Sequence, residues 1–514
     1  MKQEATQPMA IELSGITKTF GSVVANKNIN LNLKKGEILA LLGENGSGKT
    51  TLMNMLSGIY HPDSGIIKVN GEEVSIKSPE EAIDLGIGMI HQHFKLVDVL
   101  SATDNIILGS KKQGLFLHKN RSNKIKDICQ HFGLNVDPEK KIYNMSVSEK
   151  QTVEIIKVLY RNADILILDE PTAVLTPQET KHLFKILRQM KEEGCGIIII
   201  THKLNEVLEI SDRVTILRKG ESITTVQTAE TSAKELTELM VGRPVELSID
   251  HPTNDYEENL LEIHHLTIEN ELGIPAVNDI SFTLNKGEIL GVAGIAGSGQ
   301  KELCEAIAGL LPTKEGAILY NKINLLGKSP QEIINLGISM SFIPEDRLGM
   351  GLAASMGMVD NLILKTYNNG SGPFVRKEEA KQLAHRLVEE LEIKTPSIDT
   401  PVRRLSGGNV QKVLLGREIE SNPNVLITAY AVRGLDINSS YTIYNALNEQ
   451  KQKGVGVLFI GEDLDVMLEL CDRIMVMCHG KITGIVDAKS SSKEEIGLLM
   501  TDAHHKTTHE TEAK

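Results

Sequence analysis

The chain has 514 residues, more than one hydrophobic core serves, so two or three domains are expected. Its apolar fraction of 41% and charged fraction of 24% are those of a folded globular protein, which excludes disordered and fibrous classes. With 55 basic against 68 acidic side chains the net charge is −13, the wrong sign for a chain whose main partner is nucleic acid. Nowhere do about eighteen apolar residues run together, so no bilayer span is expected. Met1 to Pro8 holds no apolar segment of the kind that opens an export signal, and export is not expected. The cysteines at 129, 195, 304, 471 and 478 form no C-x-x-C pair and read as reduced thiols.

In chain order, the first strong feature is the apolar run Ile38 to Leu42, which predicts a short buried strand. It leads into Gly43-Glu44-Asn45-Gly46-Ser47-Gly48-Lys49-Thr50, a match to G-x-x-x-x-G-K-[ST], and then into a helix predicted over Thr50 to Tyr60. Strand, glycine loop and helix are the context that gives this pattern meaning. The glycines let backbone N–H groups turn inward around phosphate oxygens, and the helix start adds positive potential. Lys49 is expected to bridge the β- and γ-phosphates of a bound nucleotide, with the Thr50 hydroxyl on Mg²⁺ and Thr51 beside it. Next, Ile125, Ile128, Cys129 and Phe132 recur at helical spacing and predict an amphipathic helix. A second apolar run, Ala163 to Leu168, ends in Asp169-Glu170. Asp169 suits a Mg²⁺-bound water, and Glu170 suits orienting or deprotonating the attacking water of phosphoryl transfer. A third run, Gly196 to Thr201, delivers His202, whose imidazole is placed to touch a γ-phosphate. Short apolar strands alternating with helices predict an α/β architecture with a mainly parallel sheet, interrupted by a helical insert.

The chain then repeats itself. Gly36-Glu37-Ile38 recurs as Gly287-Glu288-Ile289, Gly43 as Gly294, Gly58 as Gly309 and Gly65 as Gly316, all 251 residues apart. Later, Ser146 pairs with Ser406, Gly194 with Gly454, Asp212-Arg213 with Asp472-Arg473 and Gly220 with Gly480, all 260 apart. Constant offsets over so many glycines predict two copies of one domain. The expected domains are residues 11–243 and 260–502, with an acidic surface linker over 244–259 and a disordered tail over 503–514. Leu383, Ala384, Leu387 and Leu391 predict that the second copy also carries a helical insert.

Gly43 to Thr50, the Gln92 segment, Asp169-Glu170 and His202 stand in the order seen in ABC-type ATPases, and the chain resembles that family over almost its whole length. The resemblance implies two tandem ABC ATPase domains of the P-loop nucleotide-hydrolase fold. It implies that Phe20 stacks on adenine, and that Gln92 touches Mg²⁺ and signals to a membrane partner. It also implies a signature, Leu405-Ser406-Gly407-Gly408-Asn409, that reaches across a dimer to the opposite ATP. The first copy's counterpart, Met145-Ser146-Val147-Ser148-Glu149, lacks both glycines and sets a carboxylate where a neutral amide would face phosphate.

The repeat offsets expose what the second copy has lost. Lys49 maps to Gln300, Thr50 to Lys301, Asp169 to Ala429, Glu170 to Tyr430, His202 to Glu462 and Phe20 to Glu271, while the Gln92 region becomes Ile343-Pro344-Glu345-Asp346-Arg347. If each ATP lies between one phosphate loop and the opposite signature, every loss falls on one site and the other is complete. One competent and one degenerate site are expected.

The wording His91-Gln92-His93-Phe94-Lys95-Leu96 and Pro171-Thr172-Ala173-Val174-Leu175-Thr176 resembles the fused ATP-binding subunits of bacterial importers for ribose- or galactose-type sugars and for nucleosides, leaning to the nucleoside branch. That implies two integral-membrane permease subunits as partners, an extracellular solute-binding protein indirectly, no direct nucleic acid, and a place on the cytoplasmic face of the membrane. The rival is a soluble tandem ATPase acting on ribosomes or nucleic acid. Such factors usually keep both phosphate loops and join them by a long basic helix, whereas this linker is short and acidic. A non-hydrolysing scaffold is a third reading, disfavoured by the complete chemistry of the first copy.

Overall fold

The computed structural model describes residues 8–501, apart from 22, 92–93, 110–117, 174, 245–248, 250–251, 253–257, 271–272, 296, 336–339, 345–346, 366, 368–376 and 434. The chain divides into two compact units, Met1–Glu246 and Leu247–Lys514. Most of the predicted linker and all of the tail lie outside the described residues.

The strands of the first unit are β1 (Met9–Phe20), β2 (Val23–Lys34), β3 (Ile38–Leu42), β4 (Ser64–Val69), β5 (Glu72–Val74), β6 (Ile87–Ile90), β7 (Ile165–Asp169), β8 (Gly196–Ile200), β9 (Arg213–Arg218) and β10 (Glu221–Gln227). Six form one sheet in the order β10-β9-β3-β8-β7-β6. All neighbours are parallel except β10, which runs antiparallel to β9 at the edge. Every residue of β3, β7 and β8 is buried, because the sheet is covered on both faces; hence their unbroken apolar runs. Side chains alternate between the two faces. Leu39, Leu41, Ile167 and Ile198 pack on one side with Leu52 and Met53. Ile38, Leu166, Leu168 and Ile197 pack on the other with Val153, Leu183 and Phe184. Each such side chain contributes roughly 1.5–3 kcal/mol by leaving water.

A separate antiparallel sheet, β2-β1-β4-β5, accompanies this core and was not anticipated from the apolar runs. Its strands alternate instead. In β2, Ile29, Leu31 and Leu33 are buried while Asn28, Asn30 and Asn32 are exposed. The helix after the glycine loop is also shorter than predicted: it spans Lys49–Leu56, not Thr50 to Tyr60. Ser57 ends it, and Gly58 follows at φ 76°, where a Cβ would lie 2.3 Å from the Ser78 carbonyl oxygen. Only glycine makes that turn. The helical insert is present, with helices His118–Phe132 and Val147–Tyr160 and Ile125 buried between them.

The second unit repeats the plan with β11 (Asn259–Glu269), β12 (Pro275–Asn285), β13 (Ile289–Gly294), β14 (Glu315–Tyr320), β15 (Ile323–Asn324), β16 (Met340–Ile343), β17 (Val425–Ala429), β18 (Gly456–Ile460), β19 (Arg473–Cys478) and β20 (Lys481–Asp487). Its sheets run β12-β11-β14-β15 and β16-β17-β18-β13-β19-β20. Its insert helix, Glu378–Glu390, buries Ala380, Ala384 and Leu387. Among the described residues no helix is long and apolar enough to cross a membrane.

Candidate active site

In the order β3-β8-β7-β6 the carboxyl ends of four parallel strands lie side by side. β3 runs into the glycine loop, β8 into His202, β7 into Asp169-Glu170, and β6 towards Gln92. Motifs far apart in sequence thereby share the edge where open α/β sheets bind ligands. Gln92 itself lies outside the described residues.

The loop from Gly43 to Gly48 is shaped by close backbone approach. Gly48 sits at φ 96°, and a Cβ there would lie 2.4 Å from the Ala25 carbonyl oxygen and 2.5 Å from Asn26 Nδ2. Fully buried Asn26 donates from that nitrogen to the Gly48 carbonyl at 3.1 Å, fixing the loop against β2. Glu44 is partly buried, and Asn45 and Gly46 are exposed at the rim. Lys49 Nζ folds back into the loop and donates to the carbonyls of Gly43 at 2.6 Å and Glu44 at 3.0 Å. Burial holds this ammonium below the usual lysine range, with Glu170, Asp169 and Glu44 pulling the other way. Ser47 Oγ is buried with no hydrogen-bond partner among the described residues. An inward-turned cation, an unsatisfied hydroxyl and a glycine cradle fit a polyphosphate.

Opposite the loop, the Asp169 carboxyl is pushed up to about 6, first by burial and then by the neighbouring Glu170 charge, against the pull of Lys49. The Asp169 carboxylate, buried at the end of β7, and the Thr50 hydroxyl, on the first turn of the helix after the loop, are hard oxygen donors of the kind that fit Mg²⁺. Thr51 follows on the first turn, partly buried. Glu170 adopts φ 51°, in the left-handed region, while its N–H donates to the Ile200 carbonyl at 2.8 Å. That conformation costs of the order of 1–3 kcal/mol in a non-glycine residue, the kind of strain found at working sites. It turns the carboxylate towards His202, whose Nδ1 lies 2.9 Å from Oε2 and 3.0 Å from Oε1.

Phe20, at the end of β1, is 43% exposed, and its ring meets Tyr60 edge-on at 5.2 Å between centroids. The Lys18 ammonium lies 5.6 Å from the same ring. Tyr60 was missed by sequence reasoning, which placed it at the end of a predicted helix. Because the helix stops at Leu56, the chain bends back, and the Tyr60 N–H donates to the Asn54 carbonyl at 3.0 Å. The stop signal was Gly58. Beside the Gln92 segment lies a cavity of about 200 Å³, lined by Ile83, Ile87, Met89, His91, Glu154 and Arg161 among others.

The second unit keeps the backbone and changes the chemistry. Gly299 caps its helix at φ 97° as Gly48 does at 96°. Gln300 is buried inside the loop, its Nε2 3.3 Å from the Ile295 carbonyl oxygen, while Lys301 points outward, 3.9 Å from Glu305. Tyr430 keeps the left-handed turn at φ 54° but offers a phenol where Glu170 offers a carboxylate. Glu271, the counterpart of Phe20, lies outside the described residues.

The two signatures also differ. In the first unit, Ser146 Oγ accepts from the Glu149 N–H at 3.2 Å, while the Glu149 carboxylate accepts from the Ser146 N–H at 2.7 Å and pairs with Lys140 at 2.7 Å. This is a capping box, so the carboxylate read from sequence as facing phosphate is turned onto its own helix start. In the second unit the exposed Ser406 makes no such cap. Its Oγ accepts from Asn409 Nδ2 at 2.7 Å, and Asn409 Oδ1 accepts from the Lys394 N–H at 2.8 Å. Gly407 is exposed and Gly408 half-buried at the start of the following helix.

A parallel sheet whose carboxyl edge carries a glycine loop, an inward lysine, paired carboxylates and a histidine defines a nucleoside-triphosphate hydrolase of the P-loop class. Residues 26–173 and 277–428 each match the ABC transporter family. The chain belongs to that family, with two ATP-binding cassettes in one polypeptide, and is an ATPase. It is 44% identical to the guanosine import ATP-binding protein NupO of Bacillus subtilis strain 168, over 96% of this chain and 98% of that protein. It is 42% identical to the nucleoside import ATP-binding protein NupA of Lactococcus lactis subsp. cremoris MG1363, over 95% and 97% respectively. It is 38% identical to the glucose import ATP-binding protein TsgD13 of Haloferax volcanii, over 96% of each.

Proposed function

We propose that this chain is the ATP-hydrolysing, energy-coupling subunit of an importer for nucleosides, with cassettes at 11–243 and 260–502 and a single complete hydrolytic site. The observation that carries the reading is the segregation of intact and lost groups. Lys49, Asp169, Glu170 and His202 stand in the first unit, opposite Gln300, Ala429, Tyr430 and Glu462 in the second. The signature whose serine is free of helix capping is the second unit's, Ser406 to Asn409. Loop one with signature two makes a site with every part.

In that site the loop N–H groups and Lys49 hold the β- and γ-phosphates, Phe20 stacks on the base, and Glu170 orients the attacking water and takes up its proton. His202 keeps the Glu170 carboxylate aimed and meets the γ-phosphate. Ser406 and the Gly407-Gly408 amides close over it. A Mg²⁺ ion held by Thr50, Asp169 and Gln92 would neutralise charge developing on the phosphate oxygens. The γ-phosphate supplies contacts that only the closed arrangement makes, so binding favours closure and hydrolysis releases it. Two integral-membrane permeases are the partners, reached through the insert and the Gln92 segment at the cytoplasmic face, with a solute-binding protein acting from outside. Nucleosides are preferred to simple sugars because the two nucleoside-importer relatives are the more similar. Uptake of labelled nucleosides, pentoses and hexoses by a deletion strain tests this: loss of nucleoside uptake alone is expected. Loss of only sugar uptake, or co-purification with ribosomal RNA instead of membrane proteins, overturns it.

A further inference from the structure

In the second unit the Glu170–His202 pair has been replaced by a different set of charges. Glu462 stands at the His202 position and Arg433 at that of Ala173. Strand register fixes a third: Ile90 pairs with Leu168 as Ile343 pairs with Thr428, so Arg347, four residues on, stands where Phe94 stands in the first unit. The three are linked. Arg433 Nε lies 3.3 Å from Glu462 Oε1, and its guanidinium carbon is 5.8 Å from the centroid of the Tyr430 ring. Arg347 donates through Nη2 to the Arg433 main-chain carbonyl and through Nη1, at 3.3 Å, to the Gly407 carbonyl. A Cβ added at Gly407 would meet that same Nη1 at 3.3 Å. Arg347 itself begins a π-helical turn, Arg347–Gly351, that packs beside the signature helix, with the buried Arg417 of that helix donating to the Gly351 carbonyl at 2.7 Å.

We infer that Arg347 is a positioning residue for the complete ATP site. Its fork spans two backbone carbonyls, one at the first signature glycine and one beside the Tyr430 turn, and so sets the angle at which Ser406 and the glycine amides are presented. A lysine cannot span both, since only guanidinium offers donors in a fixed planar fork. The first unit has no need of the device: Ser146 and Glu149 lock their own helix start. The second signature's serine caps no helix N–H and accepts only from Asn409 within its turn, and Arg347 adds a hold on that turn from outside. The Arg433–Glu462 pair then takes over at the lost γ-phosphate contact, so the degenerate half is braced by its own charges. This rests on the reading that signature two completes site one.

The test is a double-mutant cycle in the full chain assembled with its permeases. Arg347→Ala is expected to lower kcat for ATP roughly tenfold, the loss of about one charge-assisted hydrogen bond. Equilibrium binding of a fluorescent ATP analogue to the isolated chain should be unchanged, because loop one does the initial binding. Arg347→Lys should fall between. In the Ser406→Ala background, Arg347→Ala should add little, since both act through one turn. Unchanged kcat in Arg347→Ala, or losses that multiply with Ser406→Ala, overturn the inference. If Arg347→Ala does not fold, Arg347→Gln carries the same cycle. Full turnover in Ser406→Ala alone would instead remove the composite-site reading beneath it.

Discussion

Asp169 offers a prediction whose sign can be worked out in advance. Its carboxyl is raised from 3.8 to about 6 by burial and the adjacent Glu170. At 1.36 kcal/mol for each tenfold in acidity, that displacement is worth about 3 kcal/mol. A group whose folded pKa lies above its unfolded value contributes stability fully present below the unfolded pKa and lost as pH rises through the folded one. The nucleotide-free first cassette should therefore lose stability between about pH 4 and pH 6 on account of this side chain. Asp169→Asn removes the ionisation. At pH 7.5 it should stabilise the apo cassette by up to about 3 kcal/mol, or roughly 6–12 °C in the transition of a unit this size. At pH 4.5 the advantage should mostly vanish. Differential scanning calorimetry at the two pH values reads this directly, following the first-cassette transition. With Mg·ATP present the order should reverse, because the wild-type carboxylate then has its cation and the variant does not. An Asp169→Asn chain that is less stable than wild type at pH 7.5 without nucleotide, or whose advantage does not depend on pH, would refute the claim that this carboxylate is held at a cost until ligand arrives.

Two further outcomes follow from the segregation of the sites. Lys49→Ala should abolish ATP hydrolysis, while Gln300→Ala should leave most of it, as steady-state phosphate release will show; the reverse would mean the roles of the two loops are exchanged. Ser146→Ala should cost about 1 kcal/mol of first-cassette stability by removing a helix cap, with turnover retained. Ser406→Ala should lower kcat with little change in melting temperature, so paired melting and turnover assays separate the two serines.

The site was more legible than the sheet around it. β3, β7 and β8 are buried on both faces, so their apolar runs announced them, and the motifs at their ends announced the chemistry. The antiparallel sheet hid because only one of its faces is apolar: in β2 every second residue from Asn26 to Asn32 is asparagine, which dilutes the hydrophobic signal although the alternation is there. Glu149 was misjudged for a different reason. Ser146 followed three residues later by a glutamate is itself a helix-start pattern, and the structure spends that carboxylate locally, not on phosphate. Tyr60 became visible only once Gly58 had stopped its helix. Arg347 could not be read from sequence at all, because its partners lie 60 and 86 residues away and meet it only through the fold.

The central claim is that catalysis belongs to Glu170 and to one site alone. Single-turnover hydrolysis by Glu170→Gln, with the retained nucleotide counted, tests it most directly. One uncleaved ATP held per chain in closed complexes is expected, with cleavage slowed by roughly a hundredfold or more. Undiminished cleavage in that variant would contradict it.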